Sequence, residues 1–164
     1  MQATDVINLY TKLEEININI WIDGGWAVDA LVGKQTREHQ DLDIAVEDKD
    51  LSQLKEYLKS QGYKEAPRAE DPMWDLVLKD DAGLEVEVHA FTLDENQEVV
   101  EQPYWDGYSK DSLSGVGNIA GQEVRCVSLN QLVKTHNKEK RALKEKDYND
   151  MRTLTEHFGV GFTE

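Results

Sequence analysis

Asp41 and Asp43 carry carboxylates two positions apart in the stretch Asp41-Leu42-Asp43-Ile44-Ala45-Val46. Paired carboxylates offer the hard oxygen ligands that Mg²⁺ prefers, with triphosphate oxygens and water completing its octahedron. Spacing alone is weak, because 33 acidic residues among 164 generate roughly six or seven such pairs by chance. The context strengthens it. Leu42, Ile44 and Val46 alternate with Asp41, Asp43 and Ala45, the pattern of a strand with one apolar face, so both carboxylates point the same way. Upstream, Gly24-Gly25 open a helix, where missing side chains let backbone amides approach phosphate and the helix dipole favours an anion. Downstream, Glu85, Glu87 and His89 share one face of a strand whose other face carries Val86 and Val88. A third carboxylate at Glu87 is suited either to hold metal or to accept the proton of an attacking hydroxyl.

Periodicity supplies the elements that must position these groups. Val6, Leu9, Tyr10 and Leu13 recur at helical spacing behind a cap at Thr4 or Asp5, giving a first helix that ends near Asn17. Ile18, Ile20 and Ile22 alternate with Asn19 and Trp21 in a strand that ends at Asp23-Gly24-Gly25. A short helix over 26–31 stops at Gly33, and Leu51, Leu54 and Leu58 set another over about 50–61 before Gly62. Residues 74–79 and 84–92, joined by Asp80-Asp81-Ala82-Gly83, read as a β-hairpin. Residues 93–121 are poorly periodic and rich in Gly, Ser, Asp and aromatics, so they read as loops around short strands. A strand over 124–127 leads to Ser128, the cap of a helix bearing Leu129, Leu132, Val133 and His136, and a last helix carries Tyr148, Met151, Leu154 and Phe158 before Gly159. There is no internal repeat, and residues 137–145 are the expected flexible joint. The pattern divides the chain into a core over 1–127 and a C-terminal helical segment over 128–164, packed as a single unit.

A chain of 164 residues suffices for one domain with a sizeable core and no disulfide staples. Its net charge of −15, from 18 basic and 33 acidic residues, repels a phosphate backbone, so a nucleic-acid partner is not expected. The same field attracts a cationic small molecule, although an acidic surface serves solubility equally well. No apolar run approaches the ~20 residues of a membrane helix, and no membrane association is expected. The start of the chain shows no basic-then-apolar secretory signal, and the lone Cys126 cannot form an internal disulfide. Both observations favour the reducing cytoplasm.

The stretch Trp21-Ile22-Asp23-Gly24-Gly25-Trp26-Ala27-Val28-Asp29-Ala30-Leu31 resembles the signature of small antibiotic nucleotidyltransferases of the DNA polymerase β-like superfamily. So does its continuation through Gly33-Lys34-Gln35-Thr36-Arg37-Glu38-His39 to Asp41-Leu42-Asp43. The chain is most similar to lincosamide nucleotidyltransferases, then to aminoglycoside 2″-adenylyltransferases. The likeness is strong over 20–63, recognisable over 85–91 and 121–136, and weak over 92–120. It implies an α/β (α+β) fold, a mixed sheet flanked by helices, with helices at the C-terminus. It also implies in-line attack of an antibiotic hydroxyl on the α-phosphorus of a nucleoside triphosphate, ATP in expectation, with Mg²⁺ as two ions. On this resemblance Asp41 and Asp43 fall on the metal pair and Glu87 on the third carboxylate, where many relatives carry aspartate. Lys134 falls on a phosphate-contacting lysine, and Gly24, Gly25 and Arg37 complete the expected nucleotide contacts. Lys146-Asp147 followed by Asp150 resembles a recurring C-terminal pattern to which no step is assigned. A homodimer is expected by analogy alone.

Structural uses compete for several of these residues. Asp23 suits a helix N-cap as well as a substrate contact. Asp29 and Arg37 can form an ion pair with each other, His39 can support the metal site or a turn, and His89 shares the Glu87 face. His136 lies on an apolar stripe and reads as a satisfied core histidine. Trp74, Tyr104 and Trp105 suit a substrate wall or the core, and Glu85 reads as a solvated acid. The leading expectation is nucleotidyl transfer to a small hydroxylated antibiotic, lincosamide before aminoglycoside, although the acidity favours a polycationic acceptor. The alternatives are a non-antibiotic metabolite as acceptor, or a non-catalytic nucleotide-binding or toxin-neutralising module.

Overall fold

Alternating isoleucines near the start of the chain become the centre of a sheet. The computed structural model describes residues 1–66, 75–100, 107–136 and 142–161. Helix α1 (Ala3–Glu15) buries Val6, Tyr10 and Leu13, the stripe that its spacing predicts. It is followed by β1 (Ile20–Ile22), whose two isoleucines are fully buried. Helix α2 (Gly24–Val32) starts at Asp23, whose Oδ1 accepts the Gly24 N–H at 2.7 Å, and ends at Gly33 in the left-handed conformation, φ 77°. Asp23 is thus an N-cap, satisfying a first-turn amide that the helix itself leaves without a partner.

Strand β2 (Asp41–Glu47) buries Leu42, Ile44 and Val46 and pairs antiparallel with β1, Ile22 opposite Ile44. Helix α3 (Asp48–Ser60) then packs Leu54 and Leu58 against the core, and β3 (Lys64–Glu65) leads toward β4 (Asp75–Lys79) and β5 (Glu85–Phe91). The β4–β5 hairpin is the expected one, and β5 runs parallel to β2. After a short 3₁₀ turn at Asp111–Leu113 comes the antiparallel pair β6 (Gly115–Ile119) and β7 (Gln122–Cys126). Among the described residues seven strands form one mixed sheet in the order β3-β4-β5-β2-β1-β7-β6.

Helices α4 (Leu129–Thr135) and α5 (Glu145–Phe158) close the chain and both contact α2, which also lies against β2 and β6. Sandwiched in this way, α2 buries Trp26, Ala27, Val28, Asp29 and Ala30 in succession, an almost all-round burial. Each large apolar side chain removed from water contributes about 1.5–3 kcal/mol, so α2 and the sheet centre anchor everything built on them.

The structure departs from the sequence reading in particular places. Strand β6 occupies part of the aperiodic segment, joined to β7 by a two-residue turn in which Ala120 and Gly121 have φ of 51° and 89°. Phe158 is 41% exposed at the end of α5, where its spacing suggested core. Trp74, Tyr104, Trp105 and residues 137–141 of the expected joint lie outside the described residues. Among the described residues no helix is long and apolar enough to cross a membrane.

Candidate active site

Parallel pairing of β2 with β5 brings the separate acidic motifs together. Asp41 stands in register with Glu85, Asp43 with Glu87, and Ala45 with His89. Because side chains alternate along each strand, all of these point from the same face of the sheet. Atoms of Asp43, Glu87 and His89 able to ligate a metal lie within 4.8 Å of one another. His89 Nε2 is 3.9 Å from Glu87 Oε1, and both side chains are largely shielded. Further along, the face meets an aromatic cluster. Phe91 packs edge-on against Trp21 and Tyr108, at 5.4 and 6.0 Å between ring centres.

Asp43 is the electrostatic centre of this arrangement. Burial is the largest cause of a pKa pushed up to about 7, the charge of Asp41 adds to it, and Glu87 and Asp23 push the same way against the opposing pull of His89. Burial among like charges disfavours the ionised carboxylate, a condition that a bound cation relieves. The donor set therefore fits a divalent metal.

The glycines at the start of α2 have a more specific use than expected. Gly24 has φ 57°, and a Cβ on it would meet Asp43 Oδ2 at 1.9 Å. A Cβ on Gly25 would meet Arg37 Nη2 at 2.1 Å and the His39 ring at 2.7 Å. The absent side chains admit the protein's own charged groups against the helix start. Asp23 ties this point to the opposite wall by accepting a 2.5 Å hydrogen bond from the Tyr108 hydroxyl on Oδ2.

The cations are distributed differently from the sequence reading. Arg37 donates from Nε and Nη2 to the two oxygens of buried Asp150 at 2.7 and 2.8 Å, and Asp29 instead meets His39 Nε2 at 2.5 Å and the Thr36 amide and hydroxyl. The Asp29–Arg37 pair is thereby replaced by two pairs that staple the α2–β2 loop to α2 and α5. Asp41 and Asp29 lie close enough to raise the Arg37 pKa along with Asp150, against the lowering effect of burial. Lys134 is exposed in the last turn of α4. Lys146, in the first turn of α5, lies with Nζ 3.6 Å from Asp41 Oδ2. Sequence reasoning noticed the Lys146-Asp147…Asp150 pattern without giving it a role, and Tyr108 carried no signal at all. The pattern's remaining members are structural. Asp147 accepts the Lys144 N–H at 2.7 Å and faces His136, whose Nδ1 lies 2.7 Å from the Leu132 carbonyl, so His136 is the satisfied core histidine its stripe suggested.

An acidic face, a glycine-opened helix start and a nearby ammonium can together hold a metal-bound triphosphate beside a carboxylate base. The family model of aminoglycoside-2″-adenylyltransferase matches residues 5–154. A 2″-aminoglycoside nucleotidyltransferase from Klebsiella pneumoniae is 30% identical over 132 residues, covering 80% of this chain and 71% of that protein. A lincosamide resistance protein from Staphylococcus haemolyticus is 43% identical over 51 residues, 31% of this chain and 32% of that one. Among solved structures, a lincosamide antibiotic adenylyltransferase with lincomycin bound superposes with a TM-score of 0.80 at 24% identity, over 93% of this chain and 95% of that one. That likeness concerns the fold.

Proposed function

The chain belongs to the aminoglycoside-2″-adenylyltransferase family of antibiotic nucleotidyltransferases, and from that premise we propose that it transfers AMP from ATP to a hydroxyl of a small antibiotic, a lincosamide in preference to an aminoglycoside. The observation that carries the proposal is the register of Asp41 and Asp43 beside Glu85 and Glu87 on one sheet face. Support for the acceptor comes from the 43% identity to a lincosamide resistance protein over its matched stretch. The acidic composition, at net charge −15, favours the aminoglycoside alternative.

In this reading Asp41 and Asp43 hold Mg²⁺, as two ions, with Glu87 as a further ligand or as the base. When bound, the metal neutralises triphosphate charge and polarises the α-phosphoryl group. Gly24 and Gly25 admit Asp43, Arg37 and His39 against the start of α2, whose amides would meet the triphosphate beside these groups, and Arg37 adds a positive field while its fork stays on Asp150. Lys146 supplies an ammonium 3.6 Å from Asp41 Oδ2, and Lys134 is a second candidate from α4. Glu87 accepts the proton of the acceptor hydroxyl at a carboxylate oxygen as that hydroxyl attacks the α-phosphorus and pyrophosphate leaves. Ligation by Glu87 is the second reading, favoured by its nearness to Asp43 and His89. Residues 1–127 act as the transferase core and 128–164 as the helical segment that brings Lys134 and Lys146. We further take the enzyme to work in the cytoplasm, without a nucleic-acid or membrane partner, and as a homodimer.

The test is pyrophosphate release from ATP and Mg²⁺ with lincosamide, aminoglycoside or no acceptor. Release that depends on a lincosamide is expected. Release only with aminoglycosides moves the acceptor assignment, and none with any acceptor supports a non-catalytic module or a different metabolite.

A further inference from the structure

We infer that His89 is a direct nitrogen ligand of the metal at this site and biases it toward Mn²⁺ over Mg²⁺. The inference rests on the reading of the acidic face as a metal site. His89 projects from the same face of β5 as Glu87, one pleat along, and stands in register with Ala45 of β2. Its ligating atom falls within 4.8 Å of those of Asp43 and Glu87. A single ion at ordinary bond lengths of about 2.0–2.2 Å can span three donors so arranged after small rotamer adjustments. Asp41 takes no part in this group and lies toward Lys146. A carboxylate has two oxygens, so ligation through one of them is compatible with a base role of Glu87. Imidazole is a poor ligand for Mg²⁺, which favours oxygen donors and keeps its waters, whereas Mn²⁺, a first-row transition ion, admits a nitrogen into an oxygen-rich set more readily. One histidine among carboxylates therefore shifts selectivity without excluding Mg²⁺. His39 and His136 stand outside this group, His39 against Asp29 and His136 against the Leu132 carbonyl.

The experiment loads the full-length protein with Mn²⁺ alone and reads both affinity, by the free-ion electron paramagnetic resonance signal, and ¹⁴N coupling, by pulsed spectroscopy. Unmodified protein should show nitrogen coupling. His89→Gln should lose it and bind Mn²⁺ about ten-fold or more weakly, while Mg²⁺ affinity, read by competition, changes less than about three-fold. His89→Asp, which restores a charged ligand, should regain metal binding with the preference moved toward Mg²⁺. Absence of nitrogen coupling in the unmodified protein, or Mn²⁺ binding unchanged by His89→Gln, overturns the inference. Asp43→Asn separates this from the underlying reading. Lost Mn²⁺ binding in Asp43→Asn with unchanged binding in His89→Gln rejects His89 alone, and undiminished binding in Asp43→Asn rejects the metal site itself and His89 with it.

Discussion

On the face of β2 and β5, Asp41, Asp43 and Glu87 gather, and burial together with this like charge pushes the Asp43 pKa up to about 7. On α2 and α5, Asp29 and Asp150 are just as short-chained and are both 2% exposed, yet each meets a partner, His39 and Arg37 respectively. The two regions adjoin, since Arg37 and His39 pack against Gly25 while Asp43 packs against Gly24. The difference teaches where charge is structural and where it is held for chemistry. A buried carboxylate with its own donors fixes the fold. One surrounded by like charge costs stability until a cation arrives. Changes to the first region should therefore damage turnover and spare the fold, and changes to the second should do the reverse.

The largest expected effect is on Asp43. Asp43→Asn should reduce turnover by about 10³-fold or more, by removing charge from the metal site at nearly constant shape. Steady-state pyrophosphate release checks this, and a variant with unaltered turnover would end the comparison. Glu87→Gln should cost about 10²–10⁴-fold, a loss that added Mg²⁺ does not restore if Glu87 is the base. Recovery toward the parent rate as Mg²⁺ is raised would reassign it as a ligand.

From the other region, Arg37→Met removes the guanidinium that pairs with buried Asp150. It should destabilise the protein by roughly 2–4 kcal/mol, less than for a fully enclosed pair because Arg37 is 20% exposed. Urea unfolding measures it. A variant of normal stability but with raised KM for ATP would move Arg37 from the staple to the nucleotide site. The smallest effect sharpens the contrast. With its folded pKa raised from 3.8 to about 7, Asp43 keeps a proton that the unfolded chain has released, so metal-free protein should lose stability as pH rises between those values. Asp43→Asn removes that loss. In chelator it should match the parent near pH 4 and exceed it at pH 8 by about 1–3 kcal/mol, the opposite sign from Arg37→Met.

The sequence by itself determined the elements that bury one apolar face, because a period of 2 or 3.6 is written locally. Strands at Asp41–Glu47 and Glu85–Phe91, the helix stop at Gly33 and the cap at Ser128 all follow from such patterns. Strand β6 escaped because Ala120-Gly121 lacks the Asn or Asp that usually announces a two-residue turn. The grouping of Asp41 with Asp43 was equally legible, being a matter of strand alternation, and the family resemblance extended it to Glu87. Partner choice was not. Asp29 and Arg37 are eight positions apart and of opposite charge, yet Arg37 reaches Asp150, 113 positions away, and Asp29 turns to His39. The same is true of Lys146 against Asp41. Ion pairing depends on distances and burial that exist only once α5 has packed on α2, so tertiary structure alone decided which charges are neutralised and which remain for a cation.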